Sequence, residues 1–124
     1  MTWRVCSLAV AAGLLALSGC GSATIAPVHG RVTCNGKPVV DAAIIFSPVP
    51  RFEGDKEPGK PAGGGTDADG RYVMSTYKER DGVLIGKCRV AITLDATVRS
   101  PCKSKVILYE VKPGDNEFDI ELND

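Results

Sequence analysis

From Val28 onward the chain alternates apolar and polar residues in short runs, each ended by a turn. Val28, Gly30, Val32 and Cys34 fall on one side of a first run, and His29, Arg31 and Thr33 on the other, the pattern of a half-buried strand. Asn35-Gly36 is a hairpin-turn signal, followed by Lys37-Pro38. Ala42 to Ser47 reads as a second strand, stopped by Pro48 and Pro50. A short third strand, about Ala62 to Thr66, meets a fourth, Arg71 to Thr76, across the turn Asp67-Ala68-Asp69-Gly70, where Asp side chains can bond to nearby backbone and Gly accepts positive φ. Lys87 to Leu94 has the clearest pattern, with Cys88, Val90, Ile92 and Leu94 pointing one way. Val106 to Val111 is a sixth strand. The turn Lys112-Pro113-Gly114-Asp115 then leads to Glu117–Leu122, where acids alternate with Phe118, Ile120 and Leu122.

No stretch after residue 20 has helical periodicity. Seven short strands with regular turn signals predict an all-β fold, a small antiparallel Greek-key β-sandwich of about seven strands. Pro48 to Pro61, Tyr77 to Gly86 and Asp95 to Lys105 are the long polar connections, expected at the surface.

The first residues follow a different rule. Met1 to Arg4 carries one positive charge, and Val5 to Leu17 is an unbroken run of apolar and small residues, too short for a stable bilayer span. Leu17-Ser18-Gly19-Cys20 closes this run and resembles the lipobox of bacterial lipoproteins. The resemblance implies diacylglyceryl transfer to the Cys20 thiol, cleavage before Cys20 and N-acylation of the new terminus. The plainer alternative is an ordinary signal peptide with a Cys at its cleavage site. The expected organisation is a signal peptide over 1–19, a lipidated Cys20 with a tether to residue 27, and a sandwich domain over 28–124. Acyl chains on Cys20 would hold the protein on the cell membrane or outer membrane, on the extracytoplasmic side.

Composition narrows the partners. Charge is balanced, with 15 basic and 15 acidic residues, and there is no basic stripe, so nucleic acid is not expected. Fourteen Gly and eight Pro suit a chain of many turns.

Several segments resemble the carboxypeptidase regulatory-like domain, a transthyretin-like or prealbumin-like sandwich found in some bacterial lipoproteins. They are Gly30-Arg31-Val32-Thr33, Asn35-Gly36-Lys37-Pro38-Val39, Ala42-Ala43-Ile44-Ile45-Phe46, Gly65 to Tyr72, Gly86-Lys87 with Val90, and Val111 to Phe118. The order is right and nearly the whole region after residue 27 is covered. Two departures stand out: Cys88 occupies a position commonly aromatic in that family, and Arg99 to Lys105 is short. The matching motifs are turn and core positions, which specify a fold and leave function open. In carboxypeptidases the corresponding domain is a non-catalytic companion of the enzyme; here it is read as standing alone on its anchor.

Candidate chemistry is sparse. An exported chain meets an oxidising compartment, and Cys34, Cys88 and Cys102 remain beside Cys20. Cys34 and Cys88 both lie on apolar strand faces and could pair in the core, leaving Cys102 free; equally, they could be small buried hydrophobes. Asp67 and Asp69, with Asp81, suggest a calcium loop but lack its further ligands, and the turn reading is sufficient. His29 is the single His and has no zinc-ligand spacing. No metal and no cofactor are expected.

The transthyretin-like hydroxyisourate hydrolases share the general fold, but that family uses several His and Arg and ends in Tyr-Arg-Gly-Ser. This chain ends Glu121-Leu122-Asn123-Asp124, and catalysis is not expected. The two long loops offer Arg51, Phe52, Tyr77 and Arg80 as contact residues for an envelope protein or, alternatively, a glycan. The bland reading of Phe52 and Tyr77 is that they cover the ends of the sandwich. The expectation is therefore a membrane-anchored, non-catalytic structural or protein-interaction module of the cell envelope, with a surface carbohydrate-binding module as the alternative.

Overall fold

The computed structural model describes residues 24–95 and 100–123. The expected signal peptide, Cys20 and Arg99 lie outside the described residues. Those described form eleven strands and no helix.

Four strands make one sheet. β4 (Ala43–Pro48) and β8 (Gly86–Thr93) are central, with β5 (Ala62–Gly65) and β9 (Lys105–Val111) at the edges, in the order β5-β4-β8-β9. All pairings are antiparallel, and Ile44 lies opposite Ile92 and Phe46 opposite Val90. The period of two along each strand turns these side chains, with Cys88, inward and fully out of water.

The second sheet is organised around β2 (Val28–Cys34). Along one side β2 pairs antiparallel with β6 (Arg71–Val73) and β3 (Lys37–Pro38); along the other it pairs parallel with β10 (Asn116–Glu117) and β11 (Ile120–Leu122). Val28, Val32, Tyr72, Met74, Ile120 and Leu122 complete the buried core. The sheets join at one corner through paired backbone hydrogen bonds between Gly63 and Ser75.

The all-β sandwich stands, with three differences from expectation. Pairing is not antiparallel throughout, because the C-terminal segment runs alongside β2 in the same direction. The expected strand Glu117–Leu122 is divided, although Glu117 faces His29 and Ile120 faces Val32 in one continuous register. At the break the Asp119 carboxylate, in place of a backbone carbonyl, accepts the Arg31 N–H at 3.0 Å. Finally, the expected tether and the loop Tyr77 to Gly86 each contribute structure. β1 (Ile25–Ala26) pairs antiparallel with β7 (Val83–Leu84), and Ala26, Val83 and Leu84 are buried. The sandwich thus begins before Val28.

Candidate functional site

The two long loops meet. Gly59 sits against the side chains of Leu84 and Pro48. Beside it the Lys60 ammonium lies over the Tyr77 ring, 4.9 Å from its centroid, a cation–π distance. Tyr77 is 58% exposed and Phe52 63% exposed, so both rings present apolar surface to water instead of covering the core.

Each loop is shaped by one aspartate. In the first, Asp55 accepts from both the Arg51 backbone N–H and its guanidinium, each at 3.0 Å. The guanidinium bond, reinforced by that N–H, pulls the Asp55 carboxyl down to about 2. Arg51 is also 5.9 Å from the Phe52 ring centroid, so its charge is already engaged within the loop. In the second, Asp81 accepts backbone N–H groups from Thr76, Tyr77 and Lys78 at 2.6–2.9 Å. Its partial desolvation would raise the carboxyl, but these donors outweigh it and the net shift is downward. Arg80 has φ 61° and donates its backbone N–H to Ser75 Oγ at 2.7 Å, so its backbone helps form the turn.

Of the four expected contact residues, then, Phe52 and Tyr77 are exposed rings, and Arg51 and Arg80 help hold their loops. Asp55 and Lys60 were not singled out by sequence reasoning, and Asp81 was weighed there only as a calcium ligand, whereas it shapes the second loop. An Asp followed within a few residues by Gly was the available signal for that role.

The Asp67–Asp69 turn resolves as local backbone chemistry. Asp67 Oδ1 accepts the N–H groups of Arg71 and Asp69 at 2.9 and 2.8 Å, which lowers its carboxyl. Among the described residues no group of three or more His, Cys, Asp or Glu side chains is placed to hold a metal ion.

The outer face of the β2 sheet is charged. A shallow groove of about 350 Å³ is lined by His29, Gly30, Arg31, Arg71, Glu117 and Asp119. His29 Nε2 lies 2.9 Å from an Asp115 carboxylate oxygen, an ion pair when the imidazole is protonated. None of the groove-lining residues carries a hydroxyl or thiol that the imidazole could activate.

The cysteine pairing differs from expectation. Cys34 is bonded to Cys102, 68 residues on, and among the described residues Cys88 is the free thiol. The reason is position along the sandwich. The hairpin after Cys34 returns to Ala43, which lies opposite Thr93, whereas Cys88 lies opposite Pro48 at the other end of the same ladder. Five residues of strand, about 17 Å, separate those ends, well beyond disulfide reach. Cys102 follows Thr93 on the near side. Burial pushes the Cys88 thiol up to about 11, so it packs as a small hydrophobe.

No family model and no curated protein sequence matches the chain. Among solved structures it is similar to a chlorocatechol 1,2-dioxygenase from Pseudomonas putida, with a TM-score of 0.50 at 13% identity. The match covers 82% of this chain and spans 61% of the length of that one. At such identity the likeness concerns the fold alone.

Proposed function

We propose that this chain is a lipid-anchored extracytoplasmic protein, a non-catalytic structural or protein-interaction module of the cell envelope. The observation that carries the reading is the Cys34–Cys102 disulfide, a bond that persists in oxidising compartments and is rare in the cytosol. It agrees with the charge, apolar run, small residues and Cys20 that resemble a lipoprotein leader. Val5–Leu17 would direct export, and the acyl chains on Cys20 would replace the leader as the membrane attachment.

The non-catalytic reading is supported by the groove beside His29, whose lining holds no hydroxyl or thiol for the imidazole to activate, and by aspartates whose oxygens are taken up by loop backbone. Contact with a protein partner falls to the adjoining loops, where Phe52 and Tyr77 are exposed on segments stiffened by Asp55 and Asp81. Rigid exposed aromatics lose little conformational entropy on binding.

Membrane fractionation of wild type beside Cys20→Ser tests the anchor. Wild type should sediment with membranes, and the variant should be released from them. Equal solubility of the two would overturn the anchored reading.

A further inference from the structure

The outer face of the four-stranded sheet carries an apolar stripe that ends at an open strand edge. Ile45 on β4, Ala91 on β8 and Val106 on β9 stand side by side, and Leu108 is the next outward residue on β9. Val106 is 59% exposed and Leu108 74% exposed, the largest value among the exposed large hydrophobic side chains of the described residues. β9 pairs with β8 along seven residues without a break, and no described strand pairs with its other edge. Proteins usually blunt such an edge with proline, a bulge or a charge. Between Val106 and Tyr109 this edge has none of these.

The opposite edge of the sheet is handled differently. β5 is mostly glycine and is closed against the second sheet through Gly63 and Ser75. The outer face of that second sheet is charged, with His29, Arg31, Arg71, Glu117 and Asp119. Of the two outer sheet faces, the apolar one is therefore that of the four-stranded sheet, and it ends at a β9 edge that no described strand pairs.

We propose that β9 is an interface for a second copy of this chain, joined edge to edge in an antiparallel, two-fold pair. The argument is the self-complementarity of the strand. A two-fold axis through Ile107 keeps both outer faces on the same side. It sets Val106 of each copy opposite Leu108 of the other, giving two apolar cross-strand pairs. In that register Glu110 faces Ser104 and Lys105 faces Tyr109 of the second copy, so no like charges oppose. An axis through Leu108 would instead set Val106 against Glu110 twice. The result of the Ile107 axis is a continuous eight-stranded sheet.

Sedimentation velocity of the full chain in mild detergent tests this with three samples. Wild type should pass from monomer to dimer with rising concentration and stop there. Val106→Lys and Leu108→Glu should each raise the dimer dissociation constant at least tenfold while leaving thermal unfolding unchanged at concentrations where wild type is monomeric, since both side chains point to solvent in the monomer. An equimolar mixture of the two variants should recover the dimer, because the new lysine and glutamate then face each other. Monomer at all concentrations, growth past the dimer, indifference to the single variants, or no recovery in the mixture would each overturn the proposal.

Discussion

The Tyr72 hydroxyl donates a hydrogen bond to the backbone carbonyl of Phe118, 46 residues later, across the interruption between β10 and β11. Tyr72 is buried, and desolvation pushes its phenol well above the usual tyrosine range. At neutral pH the group is therefore a donor. Phe118 in turn stacks on Tyr109 at 4.1 Å and meets the edge of Phe46, so this one bond fixes the ring that bridges the sheets. Tyr72→Phe should preserve the shape and lose the donor, leaving the carbonyl unsatisfied at a cost of about 1–3 kcal/mol by denaturant titration.

Gly30 makes that approach possible. A Cβ at Gly30 would lie 2.0 Å from the Phe118 carbonyl oxygen, whereas a Cβ at Gly63 would meet nothing within 4 Å. Gly30→Ala should cost about 2 kcal/mol or more, through overpacking against backbone. Gly63→Ala, an equal change of composition, should stay within about 0.5 kcal/mol of wild type. Equal effects in melting experiments would contradict this reading of the β10–β11 interruption.

Asn116 holds the C-terminal turn together. Its Nδ2 donates to the carbonyls of Pro27, Lys112 and Gly114, and its Oδ1 accepts from Lys112 N–H and the Tyr109 hydroxyl. Asn116→Ala should lose about 1–3 kcal/mol, because the part-buried carbonyls and the Lys112 N–H are left without this partner. Asn116→Asp should also destabilise, since it replaces the donating amide by an acceptor beside three carbonyls.

The two cysteine roles separate on chemistry. Reduction, or Cys102→Ala, opens a cross-link spanning 68 residues and should cost about 4 kcal/mol on the chain-entropy account. Among residues 24–123, native protein should offer no reactive thiol until it is unfolded, when Cys88 alone appears. The buried Cys88 thiol also sets a pH dependence. Its folded value, about 11, lies above the ordinary 9.0, so the unfolded chain gives up this proton first as pH rises. The stabilisation is fully present below pH 9 and is lost between about 9 and 11. Tyr72 adds a loss of the same sign above about pH 10. Cys88→Ala should flatten the part of the stability–pH curve between 9 and 11.

Strand identity was legible where alternation was long. β2, β4, β8 and β9 match their expected runs to within one or two residues, because a strand with one buried face must alternate. β1 was not legible: Ile25 and Ala26 have no period to read, and they become a strand only because Val83 and Leu84 lie alongside. The direction of β10 and β11 was equally hidden, since parallel and antiparallel neighbours impose the same alternation. For Cys34, sequence marked a buried face but not its end of the sandwich, and the true partner sat in a polar connection with no pattern. At the loops, exposed Phe52 and Tyr77 were recognisable as residue types. Lys60 over Tyr77 depends on two loops meeting and has no local signal.

Intact mass spectrometry of the mature N-terminus, from membranes of expressing cells, decides whether Cys20 is the lipid anchor. The predicted chain begins at Cys20 and carries the added mass of a diacylglyceryl group, with or without a further N-acyl chain. A chain that begins elsewhere, or at an unmodified Cys20, would contradict the anchored reading.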